Sequence, residues 1–279
     1  ALGRAADRDK DQTYFLAGLP SDVLNRVLFP VGHLHKAEVK ALAHRGGFAA
    51  VAAQRESMGI CFIGKRKFRG FLREYADDRP GGAIVLHDGS GDGDGGTAPT
   101  VLPETHAGVH LYTLGQRAPL GGMGSRCFVA AKDVHNNTLH VVRDGQHPAL
   151  QTSALLAADC RWTAGAAPRE GTRVLLQFRH RQQPGEATVT RVGPTVGLTG
   201  GRPDPDVRPP AAVVGRVPGG APREPRAWRP LRAGECELKL GELAAAVTPG
   251  QAVVLYNCAD ELCLGGGFII DTEGPPLAR

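Results

Sequence analysis

The grain of the apolar residues after Pro80 constrains this chain most. They come in short runs broken by Gly, Asp or Pro, such as Ile84 to Leu86, His110 to Leu114, Phe128 to Ala131 and Leu139 to Val142. A second series follows: Val174 to Phe178, Ala187 to Val192, Ala252 to Tyr256 and Leu262 to Ile270. Runs of this length bounded by turn residues predict strands, and two series of them predict a small β domain followed by a β-barrel or sandwich. Aromatic residues are only 5% of the chain, so the cores are expected to be built from Val, Leu and Ala.

Before Pro80 the pattern is helical. Ser21 can cap a run carrying Val23, Leu24, Val27 and Leu28, which Pro30 stops. A second helix fits Lys36 to Arg45, with Val39, Leu42 and Ala43 on one face and Gly46-Gly47 ending it. A third, shorter helix is expected to carry Phe68, Phe71 and Leu72.

At 279 residues the chain has room for about two domains. Its longest apolar runs, such as residues 49 to 53, fall far short of the ~20 residues of a membrane span, which excludes a transmembrane helix. The opening residues have neither the apolar core of a signal peptide nor the pattern of a transit peptide, and read as the interior of something larger. Six cysteines are too dilute for a disulfide scaffold and none forms C-x-x-C, so a reducing compartment is the default.

Two stretches look inserted. Gly89 to Gly96 is a Gly/Asp run, and residues 193 to 233 hold 9 of the 21 prolines, a composition expected to stay largely disordered. The net charge is +5, yet residues 161 to 232 hold 13 Arg, no Lys and 5 acidic residues, a local +8. That imbalance fits a polyanion partner, nucleic acid first, and equally a solvated arginine-rich loop.

Among residues that can carry chemistry, Cys61 sits in a short apolar run followed by Lys65, Arg66 and Lys67. Nearby cations favour a thiolate, which suits a nucleophile or sulfur carrier; a buried structural cysteine is the alternative. His33, His35 and His44 look like surface or helix-end residues. Cys236, Cys258 and Cys263 fit no zinc spacing, which favours packing over metal binding, and Trp162 beside Cys160 reads as core.

Several motifs in one order make the string recognisable: Asp9 to Leu16 (DKDQTYFL), Leu28 to Gly32, Glu56 to Gly64 (ESMGICFIG), Tyr112 to Arg117, His147 to Leu150, Arg179 to Gln182, Val247 to Gln251 and Cys263 to Gly267. Together they resemble the tRNA-specific 2-thiouridylases, the MnmA/TRMU family. The resemblance spans nearly the whole chain apart from the two insertions.

It implies a sulfurtransferase that exchanges the C2 oxygen of the wobble uridine of tRNA for sulfur, after ATP-dependent adenylation of that oxygen. By motif match Cys61 is the persulfide carrier, and Lys10, Asp11, Gln12, Arg179, His180 and Gln251 contact tRNA. It further implies ATP with magnesium as co-substrate, and tRNA and a cysteine desulfurase or sulfur-relay protein as partners. The implied fold is α+β and β-rich: the helical tail of a Rossmann-like PP-loop domain at 1–69, a central β domain at 70–155 and a C-terminal β-barrel at 156–279.

The sequence also departs from that pattern. It holds no Ser-Gly-Gly-x-Asp-Ser phosphate loop, and Gly121 to Ser125 is glycine-rich without the aspartate, so no ATP binding is expected of this chain. The family's second cysteine, upstream of Lys10, has no counterpart, and His180 and Cys127-Phe128 stand where other residues are usual. The chain therefore resembles the C-terminal two-thirds of such an enzyme; a non-catalytic tRNA-binding remnant is the rival expectation. The Ala/Gly/Arg-rich insertions suggest a mitochondrial member first, then a plastid or bacterial one.

Overall fold

The structure is a computed structural model and describes residues 1–54, 70–71, 74, 81–87, 98–118, 126–194, 213–218 and 230–274. Cys61 with its three cations, the Gly89 and Gly121 runs and Trp228 lie outside the described residues, as do Phe68 and Leu72 of the third expected helix, whose Phe71 is described and helical.

The N-terminal part is a short strand β1 (Leu2–Gly3), a turn of 3-10 helix at Arg8–Lys10, and four helices: α1 (Thr13–Leu16), α2 (Ser21–Leu24), α3 (Lys36–Arg45) and α4 (Ala49–Ala52). The expected Lys36 to Arg45 helix is present, ended by Gly46 and by Gly47 at φ +86°. The expected run from Ser21 to Pro30 is not one helix. It stops after one turn at Leu24, and Leu28 is 88% exposed, because only Leu24 of its apolar residues finds a partner surface.

The next sheet contains β2 (Ala83–His87), β3 (Thr100–Thr105), β4 (Arg117–Ala118), β5 (Cys127–Asp133) and β6 (Thr138–Val142). Its order is β10-β5-β6-β2-β3, where β10 (Val213–Gly215) arrives from inside the second insertion and pairs with Ala131 to Asp133. Part of the segment expected to be disordered is therefore a strand, held by main-chain pairing that needs no apolar side chain. His110 to Leu114 is not the expected strand: Val109–Leu111 is a 3-10 turn that still buries Val109, Leu111, Tyr112 and Leu114.

The second body is a closed barrel of β7 (Gln151–Trp162), β8 (Arg173–Gln177), β9 (Gly185–Val192), β11 (Cys236–Ala245), β12 (Ala252–Tyr256) and β13 (Leu262–Glu273). All its pairings are antiparallel, and β13 returns to β7 to close the ring. Strand β7 begins at Gln151, so it crosses the expected boundary at 155 and belongs to the barrel. The run Gly265-Gly266-Gly267 makes closure possible, because a Cβ there would meet the carbonyls of Arg161, Val253 and Ala158 on the two flanking strands.

Leu155, Val174, Leu176, Val189, Leu238, Val253, Leu255 and Ile269 fill the barrel, with Trp162 and Cys160 among them as the sequence suggested. Outside the ring, β1 pairs with β13 through Leu2 and Cys263. That pairing lays the N-terminal segment on the barrel wall, where Leu2, Ala17 and Leu24 pack with Val254, Tyr256 and Cys263. No helix among the described residues is long and apolar enough to cross a membrane.

Candidate functional site

The N-terminal segment meets the barrel beside the loop that joins β8 to β9, and a cleft opens there. It is lined by Arg4, Arg8, Asp9, Asp11, Tyr14, Gln177, His180, Arg181, Gln182, Gln183, Tyr256 and Asp260. Two motifs far apart in sequence, Asp11 with its neighbours and His180 with its neighbours, thus share one site.

Arg4 is the internal brace. Its Nε donates to Asp11 Oδ2 at 2.6 Å, it pairs with Asp260, and its guanidinium lies 4.4 Å from the centre of the Tyr256 ring. The Arg4 and Asp11 side chains are only 7% and 5% exposed. Burial by itself raises the Asp11 carboxyl, but the Thr13 N–H and the Arg4 guanidinium more than offset that and hold it below 3.8. Burial pushes the Tyr256 hydroxyl up to about 12, so it stays a neutral donor.

A hydrogen-bond relay runs from this brace to the loop. The Tyr256 hydroxyl donates to Gln177 Oε1 at 3.1 Å, so the Thr13 hydroxyl, 3.2 Å away, is the donor to Tyr256. Gln177 Nε2 in turn donates to the Arg179 carbonyl at 3.0 Å. The loop it steadies turns through Arg181 at φ +65°, a left-handed backbone that a side chain seldom adopts outside specified turns. Gln182 N–H donates to the Arg179 carbonyl across that turn.

Each expected tRNA contact can now be placed. Lys10 ends the 3-10 turn and is exposed; Gln12 is exposed at the start of α1. Asp11 is buried, with Oδ1 accepting from Thr13 N–H and Oδ2 from Arg4, so its side chain serves the brace. Exposed Arg179 donates to the carbonyls of Ala245 and Ala246 at 3.1 and 2.7 Å, tying the loop to the turn after β11. His180 lies 4.7 Å from the Phe15 ring and 6.0 Å from that of Tyr14. Gln251 precedes Ala252, whose carbonyl takes the Tyr14 hydroxyl, and its own side-chain oxygen is buried with no partner among the described residues.

Sequence reading missed Arg4, Gln177, Tyr256 and Asp260, which build the site from scattered positions without a local signature. The three cysteines considered together do not converge: Cys236 is in the barrel core, Cys263 packs in the N-terminal cluster, and Cys258 is exposed with its Sγ on the Arg173 carbonyl. Burial pushes the thiols of Cys236 and Cys263 up to about 12, the opposite of a reactive cysteine.

Comparison with known domains gives the same order of parts. Residues 1–65 match a tRNA methyl transferase HUP domain, 69–143 a tRNA methyl transferase PRC-barrel domain, and 222–269 an aminomethyltransferase β-barrel domain. These define the class, a HUP segment followed by two β-barrel-type domains. Over 268 residues the chain is 38% identical to the tRNA-specific 2-thiouridylase MnmA 2 of Geobacillus kaustophilus, covering 95% of this chain and 58% of that protein. MnmA of Lacticaseibacillus paracasei is 38% identical over 271 residues, again 95% and 58%. MnmA of Nitrosomonas eutropha is 34% identical over 277 residues, 97% of this chain and 62% of that protein. The chain is thus similar over nearly its whole length to tRNA-specific 2-thiouridylases, and it spans about three-fifths of the length of these curated relatives.

Proposed function

We propose that this chain serves a tRNA-uridine 2-sulfurtransferase, with the cleft between the N-terminal segment and the β8–β9 loop as its tRNA-docking platform and Cys61 as the sulfur carrier. The juxtaposition of the Asp11 segment with His180 carries the docking part: two separate motifs, both matching tRNA contacts of the family, line one cleft with Arg8 and Arg181. The relatives named for thiolation support sulfur chemistry over the methyl transfer in two of the domain descriptions.

In this reading a cysteine desulfurase or relay protein loads Cys61 as a persulfide. Its terminal sulfur attacks C2 of a uridine whose O2 has been adenylated by ATP, AMP leaves with that oxygen, and a second thiol must take up the carrier sulfur as the S–S bond breaks. Neither the phosphate loop nor a matching second cysteine occurs in this sequence, so loading and docking are the steps assigned to this chain.

The test is to incubate the chain with a cysteine desulfurase and free cysteine, tag persulfides, and map them in the parent and in Cys61→Ser. Selective label at Cys61 that the substitution removes supports the carrier. Equal label on Cys127, Cys160, Cys236, Cys258 and Cys263 overturns it, and tRNA binding without any loading favours the non-catalytic role.

A further inference from the structure

At the cleft, Tyr14 is half-buried and anchored through its hydroxyl to the Ala252 carbonyl, whereas Phe15, which packs beside the cleft on Tyr14 and His180, is 59% exposed. Phe15 stands edge-on to Tyr14 with centres 5.4 Å apart and tilted 53° to His180 with centres 4.7 Å apart. Three mutually supporting rings form a stiff ledge, and stiffness matters because a platform that is already ordered loses little entropy when something lies on it. A purely apolar partner would want a dry rim. Here the neighbouring cleft residues are polar: Arg181 is exposed, Arg8 is exposed with its guanidinium on the Asp260 carbonyl, and the carboxylates of Asp11 and Asp260 are paired with Arg4.

We propose that Phe15, backed by Tyr14 and His180, is a stacking ledge for one unpaired nucleobase of the bound RNA. This rests on the docking reading above. Spacing fixes the geometry: centres 4.7 Å apart leave no gap for a third ring between Phe15 and His180, so the base lies on the outer face of Phe15. Arg181, held left-handed at the loop tip and exposed, is then the cation for a flanking phosphate. A base inside a duplex has no free face, so the ledge selects single-stranded or looped RNA.

The experiment measures affinity of the chain for an unmodified tRNA transcript, an oligouridylate and a blunt RNA duplex over a range of salt. Phe15→Leu should weaken tRNA and oligouridylate binding about five- to a hundred-fold, leave the duplex unchanged and leave the salt slope unchanged, since no phosphate contact is lost. Phe15→Trp should bind at least as well as the parent, which also checks that position 15 tolerates change. Arg181→Ala should instead reduce the salt slope by about one. Unchanged tRNA affinity in Phe15→Leu, or equal weakening of duplex and single strand, overturns the ledge while leaving the docking reading standing. A parent chain that binds none of the three RNAs overturns the docking reading and the ledge with it.

Discussion

The Tyr256 hydroxyl donates to Gln177 Oε1 at 3.1 Å, and through that bond the N-terminal segment helps set the position of a loop far from it in sequence. Thr13 sits at one end of the relay and the Arg179 carbonyl at the other. The barrel thus does more than carry the loop: two of its outer-wall side chains, Tyr256 and Gln177, link the segment laid against it to that loop.

Tyr256→Phe keeps the ring under Arg4 and removes only the relay. Two buried groups, Thr13 Oγ1 and Gln177 Oε1, lose their partner, which should cost about 1–3 kcal/mol. The loss should concentrate in faster amide exchange at Arg179 to Gln182, while barrel amides in β9 and β11 keep their protection. Uniform loss of protection would mean that Tyr256 acts only as a core residue.

Removing the Arg4 brace leaves Asp11 buried and unpaired. Arg4→Leu should cost about 3–5 kcal/mol in attachment of the segment, read as exchange of the β1 amides, and Arg4→Leu with Asp11→Asn should recover much of it. The sign with pH follows from the depressed carboxyl: the contribution of Asp11 is present above about pH 4 and is lost as pH falls through its lowered native value. Asp11→Asn should abolish that acid dependence.

The two sheets touch at Gly115, at φ +71°, where an added Cβ would strike the Ala246 side chain. Ala246 itself is left-handed at φ +57° and offers its carbonyl to Arg179. Gly115→Ala should therefore destabilise by about 1–3 kcal/mol through overpacking, and Ala246→Gly should rescue the steric part only, since the positive φ at 115 remains unfavourable. A thermal-melt double-mutant cycle measures this coupling; strict additivity would show that the contact is not shared.

Much of the fold was legible where short apolar runs are bounded by chemically marked turns. Ala252 to Tyr256 and Leu139 to Val142 read as strands for that reason, and both are. Strand β7 was not read: it mixes Gln, Thr, Ser and Asp, it is paired on both sides, and Asp159 interrupts it at φ +53°, so no clean alternation survives. Strand β3 contains Pro103 and is tolerated because it lies at the sheet edge. Val109–Leu111 misled in the other direction, since a 3-10 turn can bury the same residues as a strand. At the site, the exposed motif residues were readable. The residues that position them were not, because Arg4 and Asp260 become neighbours only when β1 joins β13.

In the central sheet His87 on β2 and His140 on β6 face each other, Nε2 to Nδ1 at 3.0 Å, which requires one nitrogen to donate and the other to accept. Both rings must then be neutral at that contact or carry a single shared charge. Burial, followed by the charges of His140 and His147, lowers His87 to about 4, against an ordinary value of 6.5. The unfolded chain therefore binds a proton that the folded chain refuses, so stability is full above about pH 6.5 and falls as pH drops toward about 4, below which both states are protonated and the loss levels off. The loss attributable to this ring is at most on the order of 3 kcal/mol. Denaturation at pH 7.5 and 4.5, with the other titrating groups common to parent and variant, should show a smaller decrease for His87→Gln than for the parent. Parallel decreases would mean that His87 is solvated and titrates normally.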